Sequence, residues 1–475
     1  MIFHYNEFVM SLKEERGRFL MAYRAVNPYN GELIKEFPAA TDAEVEQALT
    51  AAKAFYQQAK QQPLEQRAKQ LAALANEFTQ KTDYYAKFLT TNMGKLINDA
   101  RGEVQKTAAF ANYYVEHGAA ALADQDYTAI AGRKAHLEFS SIGAIVAVEP
   151  WNFPYTQVMR VFAPNFILGN PVILKHASIV PECAQAFEDA CQAAGLPAGA
   201  FKNLFATYDQ VNRMISDPRV QGVALTGSEK AGERIAAEAG HNLKKSTMEL
   251  GGTDVCIVLN DADLKKAVAG AVNGRLRNSG QVCTSAKRYL VQSGIYDEFL
   301  AAIKEEFAKY QPGDPLDEKT TLAPLSSKSA QQNLQTQIKA VLAGGAKVLW
   351  GDPTPVTGPG AFFMPLIITG MTYDNPMYDH ELFGPVAQIY QVEDESQIVE
   401  LANHSNYGLG GAIYSEDLDK ARQLASKIET GQIAVNQPLS SLPELPFGGI
   451  KKSGYGRELS DLGIREFANI KTVLG

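Results

Sequence analysis

The sequence predicts an α/β fold: two consecutive units, each a mostly parallel sheet with helices on both faces. Three observations predict it. Short apolar segments alternate with amphipathic helical stretches from residue 144 to residue 250. The alternation resumes at residue 255 and continues to residue 428. No low-complexity linker separates the two sets, so the units share a tight interface. A strand, a helix and a further strand build a parallel sheet, because the crossover helix packs back onto the sheet with one hand. Such a sheet receives nucleotides at the carboxyl ends of its strands.

The 475 residues are 45% hydrophobic and 21% charged, an ordinary globular balance in a chain long enough for two or three domains. A formal net charge of −8 argues against nucleic acid or an anionic membrane as a partner. It also means that an acidic substrate has to find local cations. The four cysteines, Cys183, Cys191, Cys256 and Cys283, form no CxxC pair, and no His/Cys group has ligand spacing, so no metal is expected. Such sparse usage fits the reducing cytoplasm. No apolar run is long enough to span a bilayer. Residues 1–20 carry Glu7, Glu14 and Glu15 and no continuous apolar core. They read as a dispensable N-terminal extension, not a targeting segment.

In chain order, residues 23–37 read as two short strands joined at Asn30-Gly31, a dipeptide suited to a tight hairpin. Thr41 and Glu44 form a capping box before a helix over 43–60. Pro63 opens a second helix, and residues 98–117 form a third; their Ala-rich faces read as packing surfaces. Residues 135–140 alternate weakly, as a strand does. The first set then runs strand 144–148, helix 157–168, strand 172–175, helix 181–194 closed by Gly195, and strand 202–206. Strand 220–225, helix 229–239 and strand 246–250 complete it. The second set runs strand 255–259, helix 264–277, strand 288–292 and helix 296–310, with 386–390, 397–402 and 418–428 continuing the pattern. Residues 352–360, rich in Gly and Pro, form a surface loop. Residues 465–473 form an edge strand suited to pairing with a neighbouring subunit.

The chemistry concentrates at Arg277-Asn278-Ser279-Gly280-Gln281-Val282-Cys283-Thr284. Cys283 sits in a polar, glycine-containing turn after a long helical run, where a thiolate has both access and nearby backbone N–H groups. A lone cysteine is more often a small buried hydrophobe, so its company decides. That company is Pro150-Trp151-Asn152-Phe153-Pro154, Glu249-Leu250-Gly251-Gly252 and Glu381-Leu382-Phe383-Gly384-Pro385. With Gly280-Gln281-Val282-Cys283, these resemble the four signature blocks of the NAD(P)-dependent aldehyde dehydrogenase superfamily, in the family's order. The stretch 447–458 resembles a further block, and the likeness runs from residue 23 to residue 474.

The resemblance implies a Rossmann-type cofactor-binding domain of residues 21–122 and 142–250 and a catalytic domain of residues 251–445. It also implies a small β oligomerisation arm, with oligomerisation segments 123–141 and 455–475, in a homodimer or homotetramer. Cys283 would attack an aldehyde as thiolate, with the Asn152 amide and the Cys283 backbone N–H holding the oxyanion. Glu249 would activate the water that releases the acid, and its presence favours hydrolysis over release as a CoA ester. Trp151, Leu250, Glu381 and Phe383 fall at cofactor positions of the family. Cys183, Cys191 and Cys256 read as packing residues.

No GxGxxG follows the strand 220–225. Gly227-Ser228-Glu229-Lys230-Ala231-Gly232 fits a looser strand-to-helix turn at which a pyrophosphate meets backbone N–H groups. In Lys175-His176-Ala177-Ser178, the family position of Ser178 often carries Glu, which accepts from both ribose hydroxyls and repels a 2′-phosphate. Serine removes that obstacle and Lys175 adds positive charge, so NADP is preferred, with NAD use possible. Ser178 as a helix cap is the plainer alternative.

Arg160 and Arg277 match positions at which family members acting on succinate semialdehyde place carboxylate-binding arginines. Ser441 adds a hydroxyl there, with Ser440 as its alternative. The resemblance therefore implies succinate semialdehyde as the small-molecule substrate. Glutarate semialdehyde or a small aliphatic aldehyde, oxidised with NAD, is the alternative. A catalytically silent structural or binding protein that keeps the fold is the alternative of another class.

Overall fold

The computed structural model describes residues 23–475, and the extension read at residues 1–20 lies outside the described residues. Strands β1 (Tyr23–Val26) and β2 (Leu33–Phe37) pair antiparallel. Their connection spans residues 27–32 and is not a two-residue turn. Gly31 donates to Asn27 O at 2.7 Å with φ +77°, and Asn27 donates to Glu32 O at 2.8 Å. Helix α1 (Asp42–Ala59) begins at the expected capping box. The Thr41 N–H donates to Glu44 Oε2 at 2.7 Å, and the Glu44 N–H to Thr41 Oγ1 at 3.2 Å.

Helices α2 (Leu64–Gln80), α3 (Thr82–Met93) and α4 (Ile97–Ala121) follow. Helix α3 was not expected from the sequence. It is rich in Thr and Tyr, which resist helix formation, and tertiary burial of Tyr85, Ala86, Leu89 and Met93 overrides that preference. Strands β3 (Gln125–Asp126) and β4 (Ala135–Ser141) form the arm.

The first large sheet contains β5 (Ala144–Glu149), β6 (Val172–His176), β7 (Phe201–Asn203), β8 (Val220–Thr226) and β9 (Lys245–Glu249). Its spatial order is β9-β8-β5-β6-β7, all parallel, with the short strand Gly454–Tyr455 antiparallel outside β9. The central strands are apolar almost without interruption because helices cover both faces, and Ile145, Val146, Ile173, Leu174 and Val223 are fully buried. Helix α5 (Pro154–Leu168) starts three residues earlier than expected. Pro154 opens it, where a missing N–H costs nothing. All fifteen residues of α5 are buried, so it runs through the interior. Helices α6 (Pro181–Ala193), α7 (Tyr208–Ser216) and α8 (Glu229–His241) complete the unit.

The second sheet orders β12-β13-β14-β11-β10-β15-β16. Its members are β10 (Val255–Val258), β11 (Arg288–Gln292), β12 (Lys347–Trp350), β13 (Leu366–Thr369), β14 (Val386–Val392), β15 (Gly411–Tyr414) and β16 (Ala434–Val435). Only β12 runs antiparallel. Helix α9 (Leu264–Leu276) leads from β10 to the cysteine turn. The strands not expected here, β12, β13, β15 and β16, span two to four residues each and are too short for a pattern to show.

The C-terminal segment divides. Gly454 pairs with Glu249, and the helix Ser460–Glu466 is tied to α4, through Tyr114 Oη donating to Ser460 O at 3.3 Å and Arg465 Nε to Ala121 O at 2.9 Å. Residues 454–466 thus belong to the first unit rather than to an arm. The strand Ala468–Leu474 pairs with β4 of its own chain, from Ala468 opposite Ser141 to Leu474 opposite Ala135. One edge of the strand is therefore taken by its own chain. The strand remains at the margin of its sheet, and its outer edge has no partner among the described residues. Among the described residues no helix is long and apolar enough to cross a membrane.

Candidate active site

Helix α9 ends at Leu276, and the chain turns sharply through Asn278, Ser279 and Gly280, with φ of +51°, +52° and +75°. Two non-glycine residues in left-handed conformation store strain, and surrounding bonds hold them there. Ser279 Oγ donates to Ala323 O at 2.6 Å, and Gln281 Oε1 accepts from the Ser326 N–H at 2.9 Å. The wholly buried Arg275 donates from Nη2 to Gly280 O at 2.6 Å and to Gly384 O at 2.7 Å. A Cβ at Gly280 would lie 2.3 Å from Gly384 O, so only glycine fits. Lys287 Nζ donates to Cys283 O at 2.6 Å and to Val282 O at 3.1 Å, and pairs with Glu381 at 2.7 Å. Two buried cations therefore fasten the cysteine turn to the 381–385 segment.

Burial pushes the Cys283 thiol up to about 11, against the lowering pull of Lys287 and Arg160. In this state the thiol keeps its proton at neutral pH. The other three cysteines are buried and unpaired, and burial raises each thiol.

Asn152 faces the same turn. Its Nδ2 donates to Gln281 O at 3.1 Å, and its Oδ1 has no hydrogen-bond partner. Its carbonyl accepts from Lys95 Nζ at 2.8 Å and from Asn278 Nδ2 at 3.2 Å. Lys95 in turn is ion-paired with Glu103, and both side chains are buried. Glu103 Oε1 accepts from the Tyr155 N–H at 3.0 Å, so a buried carboxylate caps the first turn of α5.

Glu249 closes β9 and is wholly buried, with neither carboxyl oxygen hydrogen-bonded among the described residues. The registers align it with Thr226 on β8, and Glu149 on β5 with His176 on β6. These four side chains form one row across the carboxyl end of the sheet. Glu149 likewise has no hydrogen-bond partner on either oxygen. Burial, then the nearby Glu458, holds both Glu149 and Glu249 well above the usual carboxylate range. Arg160 reaches the row from α5, but its Nη2 is paired with Glu458 Oε2 at 2.5 Å, and its guanidinium lies 4.1 Å from the Phe447 ring centroid. Arg160 is thus a compensated cation on the cavity wall, at the position where the resemblance implies a carboxylate-binding arginine.

A cavity of about 250 Å³ opens above Cys283, walled by Phe153, Gln157, Arg160, Arg277, Ser440, Ser441 and Phe447. Arg277 lies over the Phe153 ring at 5.4 Å and has no carboxylate partner among the described residues. Both candidate serines line the cavity, and Ser440 Oγ accepts from Lys106 Nζ at 3.3 Å.

Beyond the cysteine turn, a second cleft is lined by Trp151, Ala177, Ser178, Ile179, Glu381 and Phe383. Trp151 and Phe383 meet edge to face at 5.7 Å. Ser228 caps α8, accepting from the Ala231 N–H at 3.4 Å. The Gly227 N–H is already donated to Glu249 O at 2.9 Å. The Gly227 N–H is thus engaged, and the backbone donors this turn offers are those of the first helical residues. A Cβ on Gly232 would strike Leu250 Cδ2 at 2.7 Å, so that glycine lets Leu250 close over the turn. Lys175 is buried at the end of β6, 5.2 Å from the Tyr208 ring centroid, with no carboxylate partner among the described residues. Burial lowers its ammonium to about 8. A buried, uncompensated cation beside a cleft suits a phosphate-bearing dinucleotide, so the residues present fit NADP. Arg234, 5.2 Å from the same Tyr208 ring, adds a further cation.

Several participants escaped the sequence reading: Lys95, Glu103, Lys106, Glu149, Arg275, Lys287 and Glu458. Glu149 adjoins the 150–154 block, and Lys287 follows Cys283 by four residues, so proximity to a block was the available signal. Lys95, Glu103 and Lys106 lie on or beside helices read as packing surfaces.

A strained cysteine turn with the Asn152 amide beside it, the buried carboxyl of Glu249 at the end of β9 and the cleft lined by Trp151 and Phe383 make up a thiol-dependent oxidoreductase site. The comparisons agree. Residues 18–473 match the aldehyde dehydrogenase family, and the chain belongs to that family. It is 44% identical to a succinate-semialdehyde dehydrogenase [NADP(+)] of Deinococcus radiodurans, over 95% of this chain and 94% of that one. A relative with the corresponding name from Mycobacterium ulcerans is 41% identical, covering 95% and 99%. The crystal structure of a Streptococcus pyogenes succinic semialdehyde dehydrogenase in complex with NADP+ superposes with a TM-score of 0.93. It is 48% identical, over 95% of this chain and 99% of that one.

Proposed function

We propose that the chain oxidises succinate semialdehyde to succinate with NADP+, through a thiohemiacetal and a thioester on Cys283. The observation that carries this reading is the cavity above Cys283, where Arg277 presents an uncompensated guanidinium at a short distance from the nucleophile turn. A distal carboxylate meets that charge with charge-assisted hydrogen bonds, whereas an unsubstituted aliphatic chain leaves it buried and unpaired. The names of the relatives at 41–44% identity and the NADP+ complex of the structural neighbour support the same substrate and cofactor.

In this mechanism Cys283 gives its proton to solvent through the open cavity and attacks the carbonyl carbon as thiolate. Asn152 Nδ2 and the Cys283 N–H hold the oxyanion. Bound NADP+ supplies the hydride acceptor. Trp151, Lys175, Ser178, Glu381 and Phe383, with Leu250 and the Ser228 turn, would hold it. Ser178 in place of an acidic residue leaves room for a 2′-phosphate. Glu249 then takes a proton from water, which hydrolyses the thioester and restores the thiol.

The arm sheet supports assembly as a homodimer or homotetramer, because the strand Ala468–Leu474 presents an unpaired edge with Ile470 and Leu474 more than half exposed. Four unpaired cysteines suit the cytoplasm.

Steady-state kcat/KM for succinate semialdehyde and for butanal, each with NADP+ and NAD+, tests the reading. Succinate semialdehyde with NADP+ is expected to be the best pair. Equal kcat/KM for butanal overturns the substrate, and equal values for the two cofactors overturn the preference.

A further inference from the structure

We propose that Lys106 is a substrate-binding residue which, together with Arg277, receives the distal carboxylate of the semialdehyde. The proposal rests on the reading above that the substrate carries such a carboxylate.

Four cationic side chains line the cavity: Lys95, Lys106, Arg160 and Arg277. Two are already neutralised. Lys95 is paired with Glu103 and Arg160 with Glu458, and all four of these side chains are nine-tenths buried or more. An incoming carboxylate gains little from a compensated pair, because it must compete with a buried partner that has nowhere else to go. Lys106 and Arg277 have no carboxylate within ion-pair distance among the described residues. Lys106 Nζ instead reaches Ser440 Oγ at 3.3 Å, and its stem passes the Phe110 ring, with Nζ 5.5 Å from the centroid. The ammonium is thus held at the cavity wall beside one of the two candidate serines.

Helix α4 explains the placement. Lys106 lies three residues after Glu103 and seven after Asp99, so all three share one face, and all three line the cavity. Glu103 is committed to Lys95 and to the start of α5. Two cations with no carboxylate within ion-pair distance among the described residues repel each other in a partly dry pocket, and a carboxylate between them relieves the repulsion. The effect shows in Lys106 itself. Burial, then Arg277 and Arg160, lowers its ammonium to about 8, against a raising pull from Glu103.

This sets a pH signature. Around Lys106 stand Arg277, Arg160, Lys95, Glu103, Asp99 and Cys283. Ionisation of Cys283 accelerates attack on any aldehyde alike. Loss of the Lys106 proton above about pH 8 weakens only a carboxylate-bearing substrate. The ratio of kcat/KM for succinate semialdehyde to that for butanal therefore falls as pH rises through 8.

The experiment measures that ratio between pH 6.5 and 9.5 for the wild-type holoenzyme and for Lys106→Met, Lys106→Arg and Arg277→Met. Lys106→Met is expected to lower the ratio about tenfold at pH 7, as for one lost charge-assisted hydrogen bond, and to abolish its pH dependence. Lys106→Arg keeps the ratio and removes its alkaline fall, because guanidinium stays charged. A ratio in Lys106→Met within twofold of wild type, with its alkaline fall intact, overturns the proposal. Loss in Arg277→Met alone overturns the role of Lys106 and leaves the substrate reading standing. A wild-type ratio near one overturns the reading itself. If Lys106→Met turns over neither aldehyde, succinate protection of Cys283 against iodoacetamide gives the answer by binding. Protection weakened about tenfold supports the proposal, and undiminished protection overturns it.

Discussion

Arg160 Nη2 lies 2.5 Å from Glu458 Oε2, and the two side chains are 4% and 7% exposed. Glu458 follows the cavity residues Ser440, Ser441 and Phe447 in the chain, so late residues neutralise a cation on an early, fully buried helix. Arg160 also pulls the Glu149 and Glu249 carboxyls down against their burial while it walls the cavity.

The pair predicts a contrast between two Glu→Gln changes. Glu458→Gln leaves Arg160 buried without a counter-charge, an arrangement that costs about 3 kcal/mol. Glu149→Gln replaces a carboxyl that burial already keeps protonated, so it should cost less than about 1 kcal/mol. Urea denaturation of both variants at pH 7, at one protein concentration, reads the difference. Equal losses would show that Glu458 carries no special burden.

Cys283 should alkylate slowly at neutral pH and faster as pH rises. With the thiol pushed up to about 11, the thiolate fraction grows about tenfold per pH unit below that value. The rate of iodoacetamide labelling in the free protein, followed by peptide mass, should climb from pH 7 to pH 10. Lys287→Met removes the strongest lowering influence and should slow labelling further. A plateau reached below pH 8 refutes the buried, protonated thiol.

Glu249→Gln should slow thioester hydrolysis more than hydride transfer. The wild-type carboxyl is held protonated by burial, so its base form, and with it the steady-state rate, increases with pH. In the variant a pre-steady-state burst of NADPH should persist while later turnover drops at least about a hundredfold and loses that rise. Disappearance of the burst would place Glu249 before the hydride step.

Ser178→Glu should move preference from NADP+ towards NAD+. The new carboxylate repels a 2′-phosphate and accepts from a free 2′-hydroxyl, while Lys175 remains to hold the ribose. A change of about tenfold or more in the ratio of kcat/KM for the two cofactors is expected. An unchanged ratio would assign the discrimination to other cations, with Arg234 the first to examine.

The sequence disclosed what is local. The Thr41–Glu44 box, the alternation of β5 to β9 and the blocks around Asn152, Glu249 and Cys283 depend on neighbours a few residues apart. What it concealed depends on distance along the chain. Lys106 looked like one charge on an Ala-rich helix, because Ser440 lies 334 residues away. The partner of Arg160 did not show because Glu458 lies in another block. The Gly227 N–H looked available because the acceptor, Glu249 O, enters from the adjacent strand. The strand Ala468–Leu474 showed its edge character but not which chain it pairs with, since β4 and a second subunit present the same kind of backbone.

The single guanidinium of Arg275 that closes both Gly280 O and Gly384 O has an evolutionary consequence. Positions 275, 280 and 384 cannot drift independently: a side chain at 280 collides with the 384 carbonyl, and a change at 275 orphans two acceptors at once. Mutations at these three sites should therefore be strongly epistatic. Directed evolution of this enzyme should find its tolerated diversity in the cavity wall around Ser440 and Ser441, while the 275–280–384 triad stays fixed or changes in concert.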